Sequence, residues 1–269
     1  ENCLLRLLSA LQEGAVMEYP FDTPHAGIES QVDNLPAGIP DSEAVEQAKA
    51  MPYSVEKYIA LGKALSRQLR YREAIVVYTE GLKSEADDLS LLRLRAGRYL
   101  TTLQSDLAIT DFEKCLSLGA EKLDCLYRLG LAHYYAGRYE QAMKIFEKCM
   151  PLCDEEMDIA VIYWHTLSAA RAGKAPVLLK SYHPNMAVGH HTAYEKAMQV
   201  WGCVTPYSVM LRELESETDD LEYCIALYGL LWYFDCTEKT ALENKLLARN
   251  GFWPSFAYLA AWNDHRHRA

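Results

Sequence analysis

The sequence predicts an all-α chain, a right-handed superhelical stack of helix hairpins that ends in less regular helical units. Three observations predict it. Ala74, Ala108 and Ala142 recur every 34 residues, and Tyr78, Phe112 and Phe146 keep the same spacing. Leu61-Gly62 returns as Leu129-Gly130 after two such periods. Small residues mark where two helices touch closely, and large ones mark where a gap must be filled.

Residues 1–13 place Leu4, Leu7, Leu8 and Leu11 on one helical face. This is expected to be a short helix packed on the body, because a membrane-surface helix needs several bases and only Arg6 is available. Residues 19–40 hold four prolines, two glycines and no Lys or Arg, which reads as a loop or extended arm. Asp41-Ser42-Glu43 then caps a short helix ending near Pro52. Residues 1–53 form the first expected region.

Three regular repeats follow over 54–153, in blocks 55–88, 89–122 and 123–156 (the last running just into the next region). Tyr58, Leu61, Gly62, Ala74, Tyr78 and Gly81 mark the first. Leu92, Ala96, Ala108, Phe112 and Cys115 mark the second, and Leu126, Leu129, Gly130, Ala142, Phe146 and Cys149 the third. A fixed helical period of 34 with these residue types resembles the tetratricopeptide repeat (TPR) family. Arg95 stands where the family usually has Leu, and His133 where it has Tyr.

The third region is 154–269. Residues 154–172 make an apolar helix through Ile159, Ile162, Trp164 and Leu167, followed by an insert broken at Gly173, Pro176 and Pro184. A degenerate repeat-like unit is expected from Gly229, Trp232, Ala241 and Ala248. A C-terminal capping helix from Ser255 to about Asp264 would turn Phe256, Leu259 and Ala260 inward, with a polar tail facing solvent. This order of units also resembles, in layout, bacterial lipoprotein scaffolds that gather other enzymes, a bacterial type of adaptor.

Composition limits the function. The chain has 269 residues, 24% charged, with a net charge of −10. By region the charge is −7 over 1–53, +2 over 54–152 and −5 over the remainder. No basic stripe is present, so nucleic acid is not an expected partner. No apolar run reaches the ~18 residues of a membrane helix. The eight cysteines fall mostly among apolar neighbours, as reduced packing groups of a cytoplasmic protein would; a removed N-terminal signal would change that expectation.

The resemblance implies a non-catalytic scaffold or adaptor that binds a partner protein or extended peptide on the concave face. The positions lining that face include Lys63, Arg67, Arg93, Tyr127, Arg128, Leu131 and Tyr134. Their charge suits an acidic or amphipathic peptide. The acidic arm 19–40 is expected to act as an internal ligand of the same face. The five clamp positions that grip a chaperone's C-terminal carboxylate hold Ile59, Lys63, Leu94, Asp124 and Arg128 here, and only Arg128 matches. A chaperone clamp is therefore not expected. An alternative is a regulator sensing a peptide or small molecule. A third reading is a metal-dependent enzyme centred on His190, His191 and Glu195, with His183 near in sequence. Against it, the double histidine fits a packed insert corner, and no cofactor is expected. No phosphate-binding loop, serine elbow or paired-carboxylate signature is present.

Overall fold

The computed structural model describes residues 39–153, 155–184, 186–233 and 238–267. The predicted helix at 1–13 and the arm up to residue 38 lie outside these. Among the described residues every regular element is a helix, and no helix is long and apolar enough to cross a membrane. The chain divides between Ala120 and Glu121 into two compact units.

The first unit holds α1 (Glu43–Ala50), α2 (Val55–Arg67), α3 (Tyr71–Ser84), α4 (Leu89–Thr101) and α5 (Ser105–Ser117). Ser42, Ser54 and Asp88 cap α1, α2 and α4 by accepting from backbone N–H groups in the first turn. Within each hairpin the core forms at the repeat positions. Leu61, Leu65, Ala74, Tyr78, Leu92, Ala96, Phe112 and Cys115 are all buried. Each of the large ones contributes roughly 1.5–3 kcal/mol by leaving water. Gly62 is required by contact, since a Cβ there would stand 2.2 Å from the Tyr78 ring.

The turns repeat as faithfully as the helices. Leu69 and Leu103 take φ 61° and 58°, and Gly137 takes 72° at the same phase in the next repeat. The residue after each donates its N–H five residues back: Arg70 to Leu65 O, Gln104 to Tyr99 O and Arg138 to His133 O. This left-handed closure satisfies carbonyls that the helix end leaves open. Two of the three left-handed positions are leucines, which accept a cost of about 1–2 kcal/mol there.

Arg95, in the place of a Leu, is not an orphan. Its guanidinium forks onto Asp111 of α5 at 2.7 and 2.8 Å. Arg70 plays a similar role at the start of α3, bonding Glu73 at 2.5 and 2.6 Å and Asp41 ahead of α1 at 2.5 Å.

The second unit holds α6 (Lys122–Tyr135), α7 (Tyr139–Cys149), α8 (Glu155–Ala172), α9 (Thr192–Trp201), α10 (Tyr207–Leu214), α11 (Asp220–Leu230), α12 (Lys239–Ala248) and α13 (Phe256–Arg266). α6 and α7 form the third hairpin, with Phe146 against Gly130. The rest differs from expectation in two respects. Ala241 and Ala248 are exposed, and Leu242, Leu246 and Leu247 carry the packing of α12. Gly229 instead lets α11 approach α8 and α9, where a Cβ would meet Tyr163 and Ala197 at 2.6 Å. The last helix keeps the expected polar tail at the surface, with His267 exposed, but its body is more deeply enclosed than that of a cap. Residues from Ala257 to Asp264 are all buried, because α13 packs against α6, α11 and α12 at once. The run from Phe256 to Trp262 is apolar on every side, which suits burial.

Candidate interaction surfaces

The seven residues expected on a ligand-binding face separate into two groups. Lys63 and Arg67 are exposed one turn apart on α2, and neither forms an ion pair among the described residues. Arg93 is exposed on α4, which packs beside α2. These three give the first unit a cationic surface.

The other group is not an open surface. Tyr127, Leu131 and Tyr134 are 8%, 0% and 1% exposed. This corrects the expectation, and the reason lies far along the chain. The Tyr127 ring meets Phe256 of α13 edge-on at 6.1 Å. The Tyr135 hydroxyl donates to Phe256 O at 2.8 Å, and the Asn263 side-chain amide donates to Tyr135 O at 2.9 Å. The chain's own last helix thus fills the face of α6. Arg128 is half-buried; it bonds Asp124 at 2.7 Å and stands 5.8 Å from the Phe256 ring centre.

Beneath Tyr134 lies a buried polar centre that sequence reasoning missed. Arg171 of α8 pairs with Asp264 of α13 at 2.7 Å. Its guanidinium stands 5.1, 4.3 and 4.1 Å from the ring centres of Tyr134, Tyr139 and Trp232. The Tyr228 hydroxyl donates to Asp264 at 2.7 Å and lies 2.9 Å from that of Tyr134. Burial pushes the Asp264 carboxyl up, while Arg171 and Tyr228 pull it back only in part. The Arg171 guanidinium, the Asp264 carboxylate and the Tyr134 and Tyr228 hydroxyls all have partners, so α6, α8, α11 and α13 are joined without an orphaned charge. No sequence signal tied Arg171 to Asp264.

His190 and His191 sit in the turn ahead of α9, and the carboxylate they meet is Glu156 of α8, not Glu195. Both histidines border a cavity of ≈ 300 Å³ lined largely by apolar side chains, among them Tyr194, Ile225, Phe252 and Phe256. Burial pushes the Cys149 and Cys224 thiols up to about 12, so they behave as small hydrophobes.

Residues 123–152, the α6–α7 hairpin, match the family model described as Tetratricopeptide repeat. The two hairpins of the first unit carry the same residue types at the same spacing. The α6–α7 hairpin is a tetratricopeptide repeat. Small glutamine-rich tetratricopeptide repeat-containing protein 2 of Saccharomyces cerevisiae is 26% identical over 129 residues, covering 48% of this chain and 36% of that protein. Zinc finger CCCH domain-containing protein 7B of Homo sapiens is 31% identical over 107 residues, covering 35% of this chain and 11% of that protein. The chain therefore spans about a third or less of the curated relatives it matches. Among solved structures, MamA MSR-1 C2 shares 20% identity at a TM-score of 0.47, covering 51% of this chain and 80% of its own. YrrB, described as a TPR protein with an unusual peptide-binding site, shares 14% at 0.44, covering 84% and 100%.

Proposed function

We propose that this TPR chain is a non-catalytic interaction scaffold that binds an extended acidic segment of a partner protein along α2 and α4. The observation that carries the reading is the exposure of Lys63 and Arg67 one turn apart, beside Arg93 on the neighbouring helix. Arg forks and a Lys point charge suit spaced carboxylates. Exposed pairs contribute only about 0.2–1 kcal/mol each, so three of them give modest, salt-sensitive affinity. Repeat specificity resides in the first unit, because α13 covers the corresponding face of α6. The acidic arm 19–40 is the first segment assigned to this surface, as a tethered competitor.

Fluorescence anisotropy with a synthetic peptide carrying the sequence of residues 19–40 tests the assignment. The double reversal K63E/R67E should weaken binding at least about tenfold, which corresponds to 1.4 kcal/mol. Removing residues 1–40 should strengthen binding of the same peptide. Equal affinity of the reversed variant, or equal binding of a basic peptide, would overturn the charge reading.

A further inference from the structure

The turn ahead of α9 carries chemistry that the repeat array does not use. The rings of His190 and His191 lie 4.2 Å apart and tilted by 34°. Glu156, in the first turn of α8, reaches the same place, with Oε2 3.6 Å from His190 Nδ1. One ligand atom from each of the three residues lies within 4.8 Å of the other two. The site is reachable from solvent, since the His190 and Glu156 side chains are 81% and 52% exposed. Gly189 makes the approach possible. It takes φ +50°, and a Cβ there would stand 2.4 to 2.6 Å from the Glu156 carboxylate atoms.

The geometry points to a divalent transition-metal site of the zinc class, held by His190, His191 and Glu156 with water completing the shell. Two imidazole nitrogens and one carboxylate oxygen suit Zn²⁺ and its first-row neighbours; Mg²⁺ and Ca²⁺ take oxygen shells. Zinc bonds of ~2.0–2.1 Å in a tetrahedron place ligand atoms ~3.3 Å apart. The 3.6 Å His190–Glu156 pair is already near that separation. The remaining separations are no more than 4.8 Å, a span that rotation of the exposed His190 and Glu156 side chains helps to close. A simple ion pair explains less. An exposed contact of that kind contributes little, and it accounts for neither the second imidazole nor the opening at Gly189. Bound metal would clip the turn before α9 to the start of α8 across the whole insert.

The test uses the full chain without a histidine tag, freed of metal with EDTA and titrated with ZnCl₂ against a chromogenic chelator. One equivalent is expected. H190A and H191A should each weaken it at least about tenfold, as loss of a ligand in a three-ligand site requires, and E156Q by a similar factor. H183A, which removes an exposed histidine outside the cluster, should leave it unchanged. Zinc should also raise the melting temperature of the parent and not of H190A/H191A, because only a site in the folded chain shifts unfolding. Circular dichroism of each variant controls for folding, and His190 is exposed enough to be replaced without loss of core. Stoichiometric zinc binding that survives H190A/H191A overturns the site. So does occupancy below half an equivalent at about 100 μM free zinc, which sets the Kd above that level.

Discussion

Replacing Asp264 with Asn removes one negative charge from the interior of the second unit and almost no volume. Arg171 then keeps its charge while its side chain is 12% exposed. Leaving one member of a buried pair uncompensated costs about 3–5 kcal/mol. We place D264N at about 3 kcal/mol, the lower end, because three ring faces at 4.1, 4.3 and 5.1 Å still stabilise the cation. Urea unfolding followed by tryptophan emission reads this unit alone, since all five tryptophans (164, 201, 232, 253 and 262) lie in it. A second variant separates charge from shape. R171M/D264L removes both partners and should recover at least half of the loss, since apolar replacement of a buried pair is often near neutral. A D264N midpoint equivalent to less than about 1 kcal/mol, or a double variant no more stable than the single one, would refute the reasoning.

Two further outcomes follow from the packing and from one titration. Gly62→Ala gains about 1 kcal/mol of helix propensity but drives a Cβ to 2.2 Å from the buried Tyr78 ring. With overpacking at about 1–3 kcal/mol, the net should be destabilising by up to about 2 kcal/mol in calorimetry, and a raised melting temperature would contradict it. Burial holds His165 below its ordinary value of 6.5, with Glu147 at 3.4 Å pulling it up only in part. The unfolded chain therefore binds this proton more readily, so its contribution is present above about pH 6.5 and is lost as pH falls through the folded value. His165→Asn should flatten the fall in stability between about pH 7 and 5; an unchanged slope counts against the assignment.

The repeat core was legible because its signal is local in phase. Ala74, Ala108 and Ala142 are fully buried whichever elements surround the hairpin, and the 34-residue spacing marks them directly. The inner face was not legible. Assigning Tyr127, Leu131 and Tyr134 to a binding groove assumes that nothing else covers α6, and the covering helix begins at Phe256, more than a hundred residues away. The same limit applies to the histidine pair. Sequence proximity favours Glu195 one helical turn on, whereas the fold delivers Glu156 from another helix. Leu69 and Leu103 carry no left-handed signature of their own. Only Gly137 does, and the 34-residue period counted backwards from it leads to both leucines.

Those three turns carry a consequence for splicing. The residues that follow them, Arg70, Gln104 and Arg138, have φ/ψ of −80°/57°, −89°/64° and −90°/62°. The backbone therefore leaves each joint in nearly the same direction. A second copy of residues 70–103 inserted after Leu103 meets matching dihedrals at both seams, and every small-to-large contact keeps its phase. Residues 70–103 and 104–137 are in that sense interchangeable cassettes, cut at the one point where their side chains are least suited to the bend.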